Sequence, residues 1–329
     1  MDVRGTPAYR AGDAEEGGAE AGDRAVGPDG DLPAGHRCWC AGHRRSPLVL
    51  SSAHSGTLLP ARFLATVRVE AAQLHALSDG PVDRLLGFAR EDGITLVTGV
   101  YGRAVIDLNR RASELFPALL QSPEKRGLDV SPKVRAGLGL IPTRVGGVDI
   151  YARRLSDAEV AWRRDHIHAP FHAALEECAA ANVATHGQSL LLDCHSMPSA
   201  VAGPPHRRID AVLGDLHGRS AAPGLTARAA AVLRDLGLRV ALNDPYAGGH
   251  ITERHGRPAI GRSALQIELR RDLFMDERTH RLTAGADALS RALRSLVLQL
   301  EKVLLEGCAG RGVQAPFETG EPLPVVDAA

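Results

Sequence analysis

The sequence predicts an α/β fold in which one sheet lies between layers of helices. Short apolar runs with strand character alternate with amphipathic helical stretches along most of the chain. The run Ser189–Asp193 (SLLLD) is almost continuously apolar, as expected of a central strand that is covered on both faces. With 329 residues, 44% of them hydrophobic, the chain has ample material for a buried core.

The predicted strands are short, and helices separate most of them. Pro47–Ser52 (PLVLSS) is the first strand and ends in small residues. Glu159–Val183 is rich in alanine, has apolar residues at helical spacing, and is expected to kink at Pro170. The other predicted strands are Ile94–Thr98, Ala211–Leu213, Val240–Leu242 and Ala264–Ile267. The other predicted helices are Val69–Ala76, Val82–Glu91, Leu225–Leu236 and Leu282–Leu305.

Composition divides the chain into one domain and two tails. Residues 1–35 contain eight glycines and very few branched aliphatic side chains. Such a segment cannot bury enough surface to offset the entropy lost on ordering. We therefore predict a disordered tail over 1–45, a single folded domain over 46–306 and a loose C-terminal tail over 307–329.

The five cysteines have irregular spacing, and their odd number does not suggest a disulfide framework. This usage fits a reducing compartment, so a cytoplasmic location is expected. Two of them, Cys38 and Cys40, lie close to His36 and His43. Zinc modules usually place two residues between paired cysteines and add a second ligand pair further on, so we interpret this group as incidental.

Charge and hydropathy exclude several classes of protein. The 39 basic and 39 acidic side chains leave no formal net charge, which argues against binding of nucleic acid or anionic membranes through bulk electrostatics. Charged residues interrupt the apolar stretches, so no membrane span is expected. The acidic N-terminal region lacks the apolar core of a secretory signal. The expected partner is a small molecule, with no nucleic acid and no membrane.

Polar residues at or near the ends of strands are the candidates for chemistry. His54 follows the first strand, His195 follows the central strand, and Glu268 lies inside a strand-like run. Because open α/β sheets place ligands at the carboxyl ends of their strands, the two histidines are expected to converge. Two histidines and a carboxylate leave an open position on zinc for a water molecule. Either histidine alone would be interpreted as a hydrogen-bonded loop residue.

Two further groups could recognise a substrate. Arg103, Asn109 and Arg110 lie close together, and a guanidinium can bind a carboxylate through two hydrogen bonds. A surface salt bridge explains these arginines equally well. Tyr246 lies in a loop rich in proline and glycine, where it could donate a hydrogen bond to an oxyanion or cover a substrate. An ordinary packing role for this tyrosine remains open.

Seven motifs occur in the order found in the N-formylglutamate amidohydrolase family, and the sequence resembles that family over about residues 48 to 305. These motifs are SSAHSG, RAVIDLNR, GLGLIP, LLLDCHSMP, VLGD, NDPYAGGHITERHGRP and ALQIELRRDLFMDE. The resemblance implies a mixed central sheet flanked by helices, similar to zinc carboxypeptidases. It also implies a zinc hydrolase of histidine degradation, which releases formate from N-formyl-L-glutamate.

The resemblance implies a role for each candidate. One zinc ion would be bound by His54, His195 and an aspartate, preferably Asp79, with Asp83 as the alternative. Carboxypeptidases instead place a glutamate three residues after the first histidine, where this chain has Thr57. Glu268 would be the general base, and Tyr246 would close over the amide. Arg103, Asn109 and Arg110 would hold the substrate carboxylates, and Arg103 would also stabilise the oxyanion.

Two other functions remain open at this point. A related zinc amidohydrolase would act on another N-acyl amino acid or on a peptidoglycan amide, with the same carboxylate binding and a larger acyl pocket. A metal-binding or ligand-binding protein without catalysis is the second alternative. Glu268 argues against the second, because a protein that only binds needs no base.

Overall fold

A seven-stranded mixed sheet forms the centre of this computed structural model, which describes residues 33–40, 46–122, 127–204 and 208–309. The strand order is β1-β3-β2-β6-β9-β7-β8, and β4 pairs with β5 in a separate two-stranded sheet. The strands are β1 His36–Trp39, β2 Leu48–Ser52, β3 Thr95–Gly99, β4 Arg144–Val145, β5 Val148–Asp149, β6 Ser189–Met197, β7 Ala211–Gly214, β8 Val240–Leu242 and β9 Arg262–Arg270.

Four neighbouring strands, β3, β2, β6 and β9, run parallel to one another. The outer strands β1 and β7 pair antiparallel with β3 and β9, and β8 runs parallel to β7. The predicted mixed sheet flanked by helices is therefore confirmed. The carboxyl ends of the four parallel strands share one edge of the sheet, which is the edge where open α/β sheets place their ligands.

Helices cover both faces of this sheet. Helix α7 packs against β2, β3 and β6 on one face, while the apolar core on the other face includes residues of α3, α4, α8 and α10. The α-helices are α1 Ala61–Leu64, α2 Ala71–Leu74, α3 Val82–Leu85, α4 Phe88–Glu91, α5 Pro132–Arg135, α6 Asp157–Arg163, α7 Ala169–His186, α8 Leu225–Asp235, α9 His250–His255 and α10 Gly285–Ala309. Within the described ranges, no helix is long and apolar enough to cross a membrane.

The alternation of side chains along β6 separates the core from the polar residues. Leu190 and Leu192 face the core formed with α8 and α10, and Leu191 belongs to the core on the α7 side. Because successive strand residues point to opposite faces, Asp193 and His195 share the face of Leu191. The apolar run therefore anchors the strand, and its last residues project polar groups from the α7 face.

The boundary of the N-terminal tail requires a correction. Residues 36–39, predicted to be disordered, form β1 and pair with β3 from His36↔Gly99 to Trp39↔Leu96. The composition of this segment gave no such signal, because its stability comes from a strand about sixty residues away. At the other end, α10 continues to Ala309, three residues beyond the predicted limit of the domain. The rest of the 1–45 tail, apart from residues 33–40, and residues 310–329 lie outside the described ranges.

Two predicted helices also differ from the structure. Val82–Glu91 is divided into α3 and α4, and Gly87 lies between them. The long helix predicted over 159–183 extends from α6 through a π-helical segment, Arg164–His168, into α7. Pro170 lies in the first turn of α7, where its missing N–H costs little, and the wider π turn directly precedes it.

Candidate active site

His54, Asp79 and His195 converge at the carboxyl edge of the sheet. Asp79 Oδ2 lies 3.3 Å from His54 Nδ1 and 2.8 Å from His195 Nδ1. All three side chains are buried, and one nitrogen or oxygen atom from each lies within 4.8 Å of the others. Three groups of this kind are able to hold a metal ion, and they come from the turn after β2, from β6 and from the segment between α2 and α3.

Two further carboxylates orient the imidazole rings. His54 Nε2 lies 2.7 Å from Asp107 Oδ1, and His195 Nε2 lies 2.8 Å from Asp193 Oδ2. If each Nε2–H donates to its carboxylate, each Nδ1 directs a lone pair toward Asp79. Two lone pairs and a carboxylate oxygen that face one another need a positive charge between them, which either a ring proton or a metal cation supplies. The donor set therefore fits a divalent metal such as zinc, with histidines held by carboxylates as in many metal sites.

Backbone contacts fix the position of Asp79 relative to His54. The Asp79 backbone N–H donates to the His54 carbonyl at 3.2 Å, and the Ser78 hydroxyl donates to the same carbonyl at 2.9 Å. Ser196 donates from its hydroxyl to the Asp79 carbonyl at 2.6 Å. Gly80 continues the turn with a φ of 73°, a conformation that L side chains rarely adopt. The aspartate is thus tied to the segments that carry both histidines.

The charges in this group stabilise both an ionised Asp79 and a protonated His195. Burial alone would raise the pKa of Asp79, but His54 and His195 hold it well below its usual value. Burial alone would lower the pKa of His195, but Asp193 and Asp79 raise it well above its usual value. A carboxylate that stays ionised in a buried position is a suitable ligand for a cation.

Asp83, the alternative aspartate, occupies a different place. Its backbone N–H donates to the Ser55 hydroxyl at 3.1 Å, and burial raises the pKa of its carboxyl group. It lines a cavity of about 560 Å³ together with Arg37 and His75, whereas Asp79 does not line that cavity. The structure therefore brings Asp79, and not Asp83, into the group formed by the two histidines.

Glu268 lies on β9 directly beside His195 of β6, as its Cα partner in the parallel register. Gln266 donates from Nε2 to Glu268 Oε1 at 3.0 Å. Burial, with contributions from Asp79 and Asp193, raises the pKa of Glu268 to about 7, against the opposing effects of His195 and Arg103. A carboxyl group with a pKa near neutrality can both accept and return a proton at physiological pH.

Arg103 is held by two aspartates of the site. Its Nε donates to Asp107 Oδ2 at 2.8 Å, and its NH1 lies 3.6 Å from Asp79 Oδ1. The side chain is 20% exposed, so part of the guanidinium remains accessible. Arg271, which the sequence did not single out, lies 3.5 Å from the same Asp79 oxygen and also donates to the Ser78 carbonyl.

The predicted carboxylate binders are already engaged within the protein. Asn109 accepts a hydrogen bond from Ile251 N–H at 2.8 Å, and its Nδ2 lies 3.4 Å from His195 Nε2. Gly249 leaves the room for this amide, because a Cβ there would lie 2.4 Å from Asn109 Nδ2. Arg110 donates to the carbonyls of Leu138 and Asn109, both at 2.8 Å. Among the described residues, the other N–H groups of Arg110 have no hydrogen-bond partner and can meet a ligand.

Tyr246 lies at the rim of the site and is half-buried. Its ring packs against the small apolar group of Met197, Ala202 and Val212. Burial, together with the nearby charges of Glu268 and Asp79, raises the pKa of its hydroxyl. Within the described part of the chain, its hydroxyl has no hydrogen-bond partner, so the group is available to a ligand.

Helix α7 and the turn before it support the Asp107–Arg110 segment from behind, a feature that the sequence analysis missed. His172 Nε2 lies 3.0 Å from the Leu108 carbonyl, and His168 Nε2 lies 2.8 Å from the Arg110 carbonyl. Burial lowers the pKa of both histidines, so both are neutral near pH 7 and can donate these bonds. The signal in the sequence was a group of three histidines between 166 and 172, at the start of an alanine-rich helix.

Comparison with known proteins adds independent evidence. The N-formylglutamate amidohydrolase family model matches residues 46–275. The N-formylglutamate deformylase of Pseudomonas aeruginosa is 33% identical over 269 residues, covering 79% of this chain and 93% of that protein. The deformylase of Pseudomonas putida is 31% identical over 278 residues, covering 81% and 95%. The crystal structure of N-formylglutamate amidohydrolase from Ralstonia eutropha superposes with a TM-score of 0.79 at 36% identity, covering 83% of this chain and 99% of that one.

Proposed function

Because the chain belongs to the N-formylglutamate amidohydrolase family, we propose that it is a zinc-dependent enzyme that hydrolyses N-formyl-L-glutamate to formate and L-glutamate. The observation that carries the proposal is the convergence of His54, Asp79 and His195 beside Glu268. The reaction breaks the amide C–N bond, adds the water oxygen to the formyl carbon, and transfers one proton to the glutamate nitrogen.

His54, Asp79 and His195 would hold one zinc ion, and Asp107 and Asp193 would orient the two rings. When bound, the ion supplies a lowered pKa for a bound water and polarises the formyl oxygen. Asp79 contributes negative charge, and its other oxygen faces Arg103 and Arg271 at 3.6 Å and 3.5 Å. The two arginines thereby hold this carboxylate in one orientation.

Glu268 moves the proton in the proposed mechanism. Its Oε1 accepts the hydrogen bond from Gln266, which leaves Oε2 for the attacking water. Glu268 takes the proton of that water and then passes it to the departing glutamate nitrogen. The raised pKa suits both steps, because the group gains and loses its proton readily near pH 7.

The other candidate residues bind and orient the substrate. Arg103 directs its free N–H groups toward the developing oxyanion, since Asp107 fixes its Nε. Arg110 and Asn109 recognise the glutamate carboxylates with the donors left over from their contacts within the protein. Tyr246 closes over the amide with its free hydroxyl. Because the formyl group is small, most of the binding energy comes from the glutamate half of the substrate.

A direct assay of acyl specificity tests the proposal. We expect release of glutamate from formyl-glutamate, and much slower release from acetyl-glutamate and succinyl-glutamate at equal concentration. A chelator should abolish the activity, and added zinc should restore it. Equal or faster turnover of a larger acyl group would instead assign the enzyme to another N-acyl amino acid.

A cytoplasmic site of action is part of the proposal, because the described cysteines are free.

A further inference from the structure

Three cysteines meet at the edge of the sheet, between strand β1 and helix α7. Cys38 and Cys40 come from the N-terminal segment, and Cys178 comes from the middle of α7, 138 positions further along the chain than Cys40. The three sulfur atoms all lie within 4.8 Å of one another, and those of Cys38 and Cys40 are 3.1 Å apart. None of the three cysteines forms a disulfide.

The backbone explains why these thiols converge. Cys38 and Cys40 are two positions apart, so both point to the same face of the extended chain. That face lies against α7, because His36 on the same face makes an edge-to-face contact with Phe171 of α7. Cys178 lies two helical turns beyond Phe171 and therefore reaches the thiols at the other end of the strand.

The charges around the group favour a bound cation. The three sulfur atoms lie close together, and Glu177 adds negative charge beside Cys38. Ionising all three thiols next to this glutamate is unfavourable unless a positive ion compensates. Thiolates are soft ligands that select zinc and copper(I) over hard cations.

We propose that Cys38, Cys40 and Cys178 bind one thiophilic d¹⁰ cation, zinc or copper(I), in a site separate from the hydrolytic centre. Sequence spacing alone does not indicate this site, because the third ligand is supplied by a distant helix. The ion joins the four-residue edge strand β1 to α7 and so protects the exposed edge of the sheet. Its binding energy is then available to stabilise the N-terminal segment.

Cobalt(II) provides a probe that separates this site from the hydrolytic one. Only sulfur ligands give an intense ligand-to-metal charge-transfer band in the near ultraviolet, and His54, Asp79 and His195 contain no sulfur. Full-length, reduced, metal-free protein is titrated with Co²⁺ under nitrogen. We expect the band to reach its maximum with a single thiolate-bound ion per chain. The band should be lost in Cys40→Ser and Cys178→Ser.

Two variants keep this test interpretable. Cys40 is exposed, so its replacement by serine should leave the fold intact even if the half-buried Cys178 does not tolerate the change. Cys308→Ser, which alters a cysteine near the end of α10, is the matched control and should keep the full band. Both variants should retain hydrolysis of formyl-glutamate at the wild-type rate.

Competition identifies the ion, and four outcomes overturn the proposal. Displacement of the cobalt band by Zn²⁺ assigns zinc, and displacement only by Cu⁺ against a chromogenic copper(I) chelator assigns copper. Absence of the band in the wild type, its persistence in Cys178→Ser, or displacement by neither ion contradicts a metal site. Loss of two mass units from the anaerobically purified protein, which would indicate a disulfide among these cysteines, also contradicts it.

Discussion

His195 and Glu268 are Cα partners across the parallel strands β6 and β9. The register therefore places an imidazole and a carboxyl group side by side on the same face of the sheet. His195 also contacts the carboxylates of Asp79 and Asp193, which fix the position of its ring. Glu268 is held separately, by a hydrogen bond from Gln266. The imidazole belongs to the group that could hold a metal, formed with His54 and Asp79. One oxygen of Glu268 stays available for the proposed role as base.

The first prediction concerns the proposed base. Glu268→Gln should lower kcat by about 10²- to 10⁴-fold, the usual contribution of a positioned acid–base group. The amide preserves the size of the side chain but cannot take a proton from water. Steady-state kinetics with formyl-glutamate, together with metal content per chain, measures the effect. Near-wild-type turnover with the metal still bound would rule out Glu268 as the base.

The same variant should become more stable relative to the wild type as the pH rises. Burial raises the pKa of Glu268 from 4.5 to about 7 in the folded protein. Once the pH is high enough to ionise this group in the unfolded state, the free energy of unfolding of the wild type falls. This cost is absent below about pH 4, grows from there to pH 7, and then levels off at roughly 1–3 kcal/mol. Urea unfolding of both metal-free proteins at pH 5 and pH 8 measures it. A variant whose stability relative to the wild type is lower at pH 8 than at pH 5 contradicts the assigned pKa shift.

The second prediction is the pH dependence of catalysis. Since Glu268 must be ionised to accept a proton, kcat/KM should fall as the pH falls through about 7. A bound cation lowers this pKa, so the midpoint in the zinc-loaded enzyme should lie at or below that value. The residual activity of Glu268→Gln should lack this acidic limb. A wild-type profile that is flat between about pH 5 and 8 contradicts the role.

The third prediction separates the two candidate aspartates. Asp79→Asn should weaken zinc binding strongly, because the variant loses the carboxylate that faces both imidazoles. Asp83→Asn is the matched control and should leave zinc affinity close to that of the wild type, since its side chain lines a separate cavity. Zinc competition with a fluorescent chelator gives both dissociation constants. The reverse order of effects would assign Asp83 as the ligand.

The sequence predicted the fold because each central strand carries its own local signal. The apolar run of β6 and the polar residues at its end indicate both a covered strand and the edge where a ligand lies. The short strand β1 carried no such signal, since its four residues, two of them charged or polar, become a strand only by pairing with β3. Its residues directly follow the segment 1–35, whose glycine content indicated disorder, and they were included in the same predicted tail.

Only part of the candidate site could be predicted from the sequence. His54, His195 and Glu268 follow from their places on strands, but Asp79 depended on the family resemblance because it lies in an irregular segment. Asp107, Asp193, His168 and His172 were missed as supporting groups. The partners of Asp107, His168 and His172 lie more than fifty residues away in sequence, and no local pattern specifies such contacts. Asp193 lies only two residues before His195, but the strand pattern alone does not indicate that its carboxylate contacts the ring.

The last prediction concerns the carboxylates that orient the metal-binding rings. Asp107→Asn and Asp193→Asn should each weaken zinc affinity about 10- to 100-fold, the usual effect of changing such a partner. An asparagine can present its N–H₂ to the ring, which favours the imidazole tautomer that turns a hydrogen toward the metal. Asp149→Asn, at an exposed carboxylate paired with Arg144, is the control and should bind zinc normally.

The two orienting variants should differ in a second respect. Asp107 also accepts hydrogen bonds from Arg103 Nε and from Asn109 N–H, whereas Asp193 accepts one from the Ser51 hydroxyl. Asp107→Asn should therefore raise KM in addition to weakening zinc, because it loosens the segment proposed to bind the substrate carboxylates. Asp193→Asn should leave KM nearly unchanged once zinc is saturating. Equal KM values for the two variants at saturating zinc would contradict the coupling of Asp107 to substrate binding.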